Sequence, residues 1–325
     1  MREYIIKRFL QMIPTILIIT LVVFAMMQAI PGDPIIALLG DAYDEEDAEL
    51  LRKEYGLDKP IIVQYFVWLG KLVRGNWGES FVSGSFVIED VLIRLPVTAE
   101  LILLAMVVAL LIAIPAGIIA AVRQNTWGDY TAMSTALVGI SIPDFFLGIL
   151  LLLVFSFAFK GLLPSSGWVY FPGTCSTVIC EESLWGNLRH AIMPAIALGV
   201  GRAALLTRLL RASMLEIIRM EYVTTARAKG LVEHFVILKH ALKNALIPTI
   251  TILGLQIGFL IGGAIVVETL FAIPGLGTYG INAIILRDYQ QVQGFILLVA
   301  IFFVVLNFLV DLVYSFLDPR IRYGT

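Results

Sequence analysis

The chain has 325 residues, of which 59% are hydrophobic and only 15% charged, where a soluble domain carries roughly 45–50% and about 25%. That balance argues against a soluble globular protein, and the apolar excess falls in long blocks, as in an integral membrane protein. The formal charge of −2 hides an asymmetry, because acidic and basic residues collect in different connections between the blocks.

Six blocks reach the roughly 20 apolar residues that a crossing helix needs: 9–30, 99–122, 130–159, 190–215, 245–271 and 292–317. None alternates like a barrel strand, so the expected fold class is an all-α integral membrane protein with six transmembrane helices. The first block follows Arg2, Lys7 and Arg8 like the start of a signal peptide. Its apolar stretch is longer than the usual ~7–15 residues, and "AIPGDP" closes it instead of a cleavage site. It reads as a retained span.

The connection from Pro31 to Pro96 is too long for a simple loop. "DEEDAELLRKEYGLDKPIIVQYFVWLGKLVRG" predicts an acidic helix, a glycine stop, a proline start and an amphipathic helix. Ile62, Tyr65, Phe66, Leu69 and Leu72 share one face of the latter. "GNWGESF" then supplies turns. Residues 1–97 therefore divide into the first span and a partly helical extracytoplasmic insertion, either a cap on the bundle or a partner contact. Residues 98–317 hold five spans, and 318–325 form a tail.

The third connection contains Cys175 and Cys180 in "FPGTCSTVIC". Four intervening residues suffice for a small ring, and an exterior location permits oxidation, so a disulfide is expected, with two free thiols as the alternative. No histidine lies beside them to suggest a metal.

Between the fourth and fifth spans runs "EYVTTARAKGLVEHFVILKHALKNALIP", from Glu221 to Pro248. Gly230 is a natural stop for a first helix. Beyond it Phe235, Leu238 and Leu242 make a stripe at i, i+3, i+7, off which lie Glu233, Lys239 and Lys243. The pattern predicts a short cytoplasmic helix lying across the bundle. It serves either as a lysine-bearing interfacial helix on anionic lipid or as a peg for a cytoplasmic partner.

Basic residues orient the chain. Arg2, Lys7, Arg8, Arg123, Arg208, Arg211, Arg219, Arg227, Lys229, Lys239, Lys243, Arg320 and Arg322 fall on one side of six spans. "DAYDEEDAE" and Glu181–Glu182 fall on the other. Both termini are expected in the cytoplasm.

Catalytic signatures are missing. No phosphate-binding G-x-x-x-x-G-K-[ST] occurs; Gly70-Lys71 is followed by Leu72. No H-E-x-x-H occurs, and His190, His234 and His240 are too dispersed to hold a metal. Ser141 and Ser213 have no evident base. The chain is expected to have no catalytic residue and no cofactor of its own. Charges in apolar surroundings are Glu100, Asp144, Arg202, Glu268 and Asp311. Glu100 and Glu268 lie near outer ends, within reach of water, whereas Asp144 in "GISIPDFFLG" is deeper. Asp144 and Glu268 are the candidates for lining a passage; internal pairing is the competing reading.

The stretch "EYVTTARAKG…HALKNALIP" resembles the coupling (EAA) region of ABC importer permeases, in the variant of the dipeptide, oligopeptide and nickel (DppB/OppB) type. The likeness extends over nearly the whole chain, through "IPGDP", "YGLDKP", "GNWGES", "ETLFAIPGLG", "RDYQQVQG" and "DPRIR". Two departures separate it from the general motif: Thr224, Thr225 and Ala226 replace Glu-Ala-Ala, and the distance from Gly230 to Pro248 is longer. Both agree with the peptide and nickel subgroup.

The resemblance implies a type I importer fold in a prokaryotic inner membrane, with the coupling region at 221–244. Thr225, Ala226, Arg227, Ala228, Lys229, Gly230, Phe235, Leu238, Leu242 and Asn244 would meet one or two ATPase subunits. Those subunits would bind ATP and Mg. A second homologous permease subunit, an extracytoplasmic binding protein, a peptide substrate and the lipid bilayer complete the expected partners, with no nucleic acid. Nickel chelates, glutathione and oligosaccharides are alternative cargoes. A proton-coupled carrier or a receptor subunit is the rival from another class.

Overall fold

Each apolar block is helical, and most helices extend beyond the block that predicts them. The computed structural model describes residues 2–29, 44–56, 58–174 and 182–317; Cys175, Cys180 and the tail 318–325 lie outside them. The helices are α1 (Arg2–Ala29), α2 (Glu45–Tyr55), α3 (Ile61–Val73), α4 (Val87–Val122), α5 (Trp127–Ser141) and α6 (Asp144–Phe157). They continue with α7 (Leu184–Ile218), α8 (Glu221–Ala228), α9 (Glu233–Leu270), α10 (Leu276–Ile285) and α11 (Tyr289–Leu317). Among the described residues the only β pairing is two isolated bridges, Glu79–Phe86 and Tyr170–Glu182.

Five helices are long and apolar enough to cross a membrane, and the pair α5–α6 makes a sixth crossing if it is one broken span. The third expected span, 130–159, holds a break between Ser141 and Asp144, where the two helices bend by 101°. Pro143 has no N–H to continue the helix and drives Ile142 to extended backbone, φ −88°, ψ 120°.

The chain forms two compact units. One comprises Val97–Gly277 with 306–317. Its axis is α7, packed against α5, α6 and α9. Many of the inward residues of α7 are small, among them Ala195, Ala197, Gly199, Ala203 and Ala204, which lets neighbouring helices approach closely.

The other unit comprises Arg2–Pro96 with Thr278–Val305. The acidic helix, the Gly56 stop at φ 70° and the Pro60 start are where the sequence puts them. The expected face of α3 is only partly so, with Tyr65, Leu69 and Leu72 half-buried. Ile62 and Phe66 are exposed; Tyr65 and Trp68 turn to α1, their rings 5.5 and 5.7 Å from Phe24. Tyr65 Oη also lies 3.0 Å from Thr20 Oγ1. The partner's residues choose the face, and periodicity alone does not contain them.

Two of the quoted motifs meet inside this unit. Asp288 of "RDYQQVQG" is fully buried. It accepts from Ser80 Oγ of "GNWGES" at 2.5 Å, from the Val82 amide at 3.3 Å and from the Gln291 amide at 3.1 Å. Gly78, at φ 93°, leaves the room that the Gln290 side chain occupies.

Candidate functional site

The ends of α4, α7 and α9 converge at one end of the first unit. Ala121, Leu210, Met214, Ile237, Ala241 and Ala245 form a buried cluster there. From it projects α8, which turns Val223 and Ala226 inward onto Ile217 and Val236. Lys229 ends α8, and Gly230 turns the chain at φ 78°, in the left-handed region that glycine enters freely.

Two polar clamps fix this short helix. The Arg227 guanidinium donates to Glu233, from Nη2 to Oε1 at 2.7 Å and from Nε to Oε2 at 3.1 Å. Its Nη1 reaches the Ile218 carbonyl at the end of α7 at 3.5 Å. The carboxylate holds the guanidinium above its usual, already high pKa, so the pair stays charged throughout the neutral range. At the other clamp Asn244 Nδ2 donates to Tyr222 Oη at 2.7 Å. α8 is thus tied by side-chain contacts to the end of α7 and the start of α9.

Among the residues expected to meet a partner, Thr225, Ala228, Lys229, Gly230, Phe235, Leu238 and Asn244 are exposed, Arg227 and Leu242 are partly buried, and Ala226 faces inward. Met220, Tyr222, Leu231 and Val232 add exposed apolar surface beside them. Lys239 Nζ sits 4.7 Å from the Phe235 ring centroid.

One expectation is corrected. The segment after Gly230 is not a separate helix across the bundle. Glu233 to Leu270 is continuous, with a π turn at Val236–Ala241, because no glycine or proline interrupts residues 231–247. The element standing apart from the spans is α8. The π turn also displaces the i, i+3, i+7 register, so Val236 and Ile237 turn inward and Leu238 outward.

The two candidate passage residues lie apart. Glu268 does not reach water; it is fully buried. Thr98 Oγ1 donates to its Oε1 at 2.6 Å, and the Gly277 amide to its Oε2 at 2.7 Å. Thr98 Oγ1 in turn accepts from the Leu276 amide at 2.8 Å. Glu268 thus fastens the "AIPGLG" turn, and a side chain at Gly275 or Gly277 would strike it. Asp144 sits at the bend before α6 and pairs with Arg202 of α7.

Sequence reasoning missed a third carboxylate. Asp129 is buried and takes a two-pronged contact from Arg211, Nε–Oδ1 2.6 Å and Nη2–Oδ2 2.7 Å. The Asn125 amide adds a third bond at 3.0 Å. Arg211 is thus partly buried inside the unit. Its only signal in the sequence was an acidic residue in the first turn of an otherwise apolar helix.

The sequence matches two family models: "Binding-protein-dependent transport system inner membrane component" over residues 113–323 and the corresponding N-terminal component over 1–105. It is 40% identical to the dipeptide transport system permease protein DppB of Alkalihalophilus pseudofirmus, over 99% of this chain and 100% of that protein. It is also 40% identical to the glutathione transport system permease protein GsiC of Escherichia coli K12, with the same coverage. A putative peptide transport system permease protein of Brucella abortus strain 2308 matches at 40% over 99% of this chain.

Proposed function

The chain belongs to the family of inner membrane components of binding-protein-dependent transport systems, and we propose that it forms half of a pathway importing peptides. Names that mention dipeptide, peptide and glutathione transport support this cargo class; glutathione is itself a small peptide. An extracytoplasmic binding protein delivers the substrate, a second permease of similar fold completes the pathway, and separate ATPase subunits bind ATP and Mg. With six crossings both termini and the α8 region would lie in the cytoplasm, the side that the basic residues favour.

The observation that carries the coupling role is the clamped α8. A helix too short to span is held by Arg227–Glu233 and Tyr222–Asn244 between α7 and α9, its outer face exposed among the described residues. An ATPase gripping Thr225, Ala228, Lys229 and the Phe235/Leu238 surface would move both spans together. Tight packing is what makes such a shift discrete.

The test is copurification and turnover. With Leu238→Asp, the permease is expected in the membrane at normal abundance, with ATPase subunits lost from the purified complex or substrate-stimulated ATP turnover abolished. Unchanged stimulated turnover in the reconstituted complex would sink the coupling role.

A further inference from the structure

Two arginine–carboxylate pairs lie within the first unit, and they differ in how completely they are satisfied. Arg211–Asp129 is closed, with both carboxylate oxygens and two guanidinium nitrogens engaged and a backbone amide added. Arg202–Asp144 is open. Arg202 Nη1 donates to Asp144 Oδ2. Arg202 Nε and Nη2 and Asp144 Oδ1 have no hydrogen-bond partner among the described residues. The two side chains keep 16% and 19% of their surface accessible. Such a pair leaves donors of a planar fork and an acceptor unused.

The position is deliberate in physical terms. Arg202 stands midway along α7, and Asp144 stands where the broken α5–α6 span bends. Charges at mid-depth are costly and face the bundle interior or a water-filled space. Two glycines make room: a side chain at Gly263 would come within 3.2 Å of Asp144 Oδ2 and 3.3 Å of Arg202 Nη2, and one at Gly201 within 3.4 Å of Asp144 Oδ1. Helices α6, α7 and α9 thus hold one cation and one anion side by side, with spare valence and with two glycines packed against them.

We propose that Asp144 and Arg202 form a substrate-binding site inside the bundle, which receives the two opposite charges of a short zwitterionic peptide. Arg202 takes the C-terminal carboxylate through its free N–H groups, and Asp144 takes the N-terminal ammonium through its free oxygen. This rests on the peptide reading above and deepens it, from cargo class to the groups that are recognised. In the absence of cargo the two residues neutralise one another, which keeps either charge from standing alone.

The test uses the complete transporter with its binding protein in proteoliposomes. Import of alanyl-alanine is compared with its C-terminal amide and its N-acetyl derivative, each flux normalised to the loaded fraction of binding protein. Wild type is expected to favour the free dipeptide over either derivative by about tenfold to a hundredfold, the range for a hydrogen bond to a charged group. Arg202→Gln should bring the amide within about twofold of the dipeptide, and Asp144→Asn the N-acetyl form.

Arg202→Lys keeps one contact to Asp144 but lacks the fork. It should assemble and still lose most of the preference for the carboxylate, so it carries the test if Arg202→Gln does not assemble. Unchanged preferences in the assembled variants would overturn the site. So would full recovery of flux in the exchanged pair Asp144→Arg with Arg202→Asp, which marks a structural latch. A wild-type transporter that imports none of the three would overturn the peptide reading and this inference together.

Discussion

A carboxylate within a span must be satisfied by the protein around it, and three of those in the first unit are satisfied in three ways. Glu268 is held by Thr98 and the Gly277 amide, Asp129 by a two-pronged arginine, and Asp144 by a single contact. Thr98→Val removes the donor to Glu268 and the acceptor for the Leu276 amide. The complex should lose about 1–3 kcal/mol for the unsatisfied buried groups, read as a lower thermal midpoint, while Thr98→Ser stays near wild type. Arg211→Met leaves the Asp129 charge buried and uncompensated, at about 3–5 kcal/mol. Adding Asp129→Leu should recover much of that loss, because the two residues share one interaction. The Arg227–Glu233 clamp is more exposed, at 36% and 55% of the side-chain surfaces, so Arg227→Ala should cost at most about 1 kcal/mol of stability. Its larger expected effect is weaker substrate stimulation of ATP turnover. The sequence makes such residues conspicuous as charges in apolar surroundings. It does not reveal partners that come from positions 58 and 82 residues away.

At the scale of elements, the punctuation residues were legible and the continuity between them was not. Gly56, Pro60 and Gly230 end or begin helices as their backbone preferences dictate. The length of α4, which runs through Pro96, and the fusion of Glu233 to Leu270 into one helix were not legible. In both places a polar or charged stretch looks like a connection by hydropathy, yet the helix continues through it, in α4 even past Pro96. The π turn at Val236–Ala241 leaves no local signature either. The same limit applies to α3, whose apolar residues surround it too fully for periodicity to choose between the Ile62/Phe66 side and the Tyr65/Trp68 side. Tyr65 and Trp68 carry the aromatic contacts to α1. Trp68→Ala should therefore loosen α1 from α3 and increase protease nicking near residue 60, where Phe66→Ala should leave the pattern unchanged.

For the whole molecule, composition and the length of the apolar blocks pointed to a helical membrane protein, and the ordered series of short motifs pointed to the family that the matches show. Their mutual packing explains why the order matters: "GNWGES" closes on "RDYQQVQG" through Ser80 and Asp288, although 208 residues separate them. The six-crossing orientation is checked with single cysteines in a background lacking Cys175 and Cys180. An impermeant thiol reagent applied to intact cells should label Glu46→Cys and leave Glu233→Cys unlabelled until the membrane is opened; labelling of Glu233→Cys in intact cells would reverse the orientation. The central claim is that this chain is the peptide-conducting half of an ATP-driven importer. It is tested most directly by peptide uptake into proteoliposomes holding the chain with its second permease, ATPase subunits and binding protein. The account predicts accumulation that requires ATP and the binding protein and is indifferent to an imposed proton gradient. Accumulation driven by a proton gradient through the permease alone, without ATPase subunits, would contradict it.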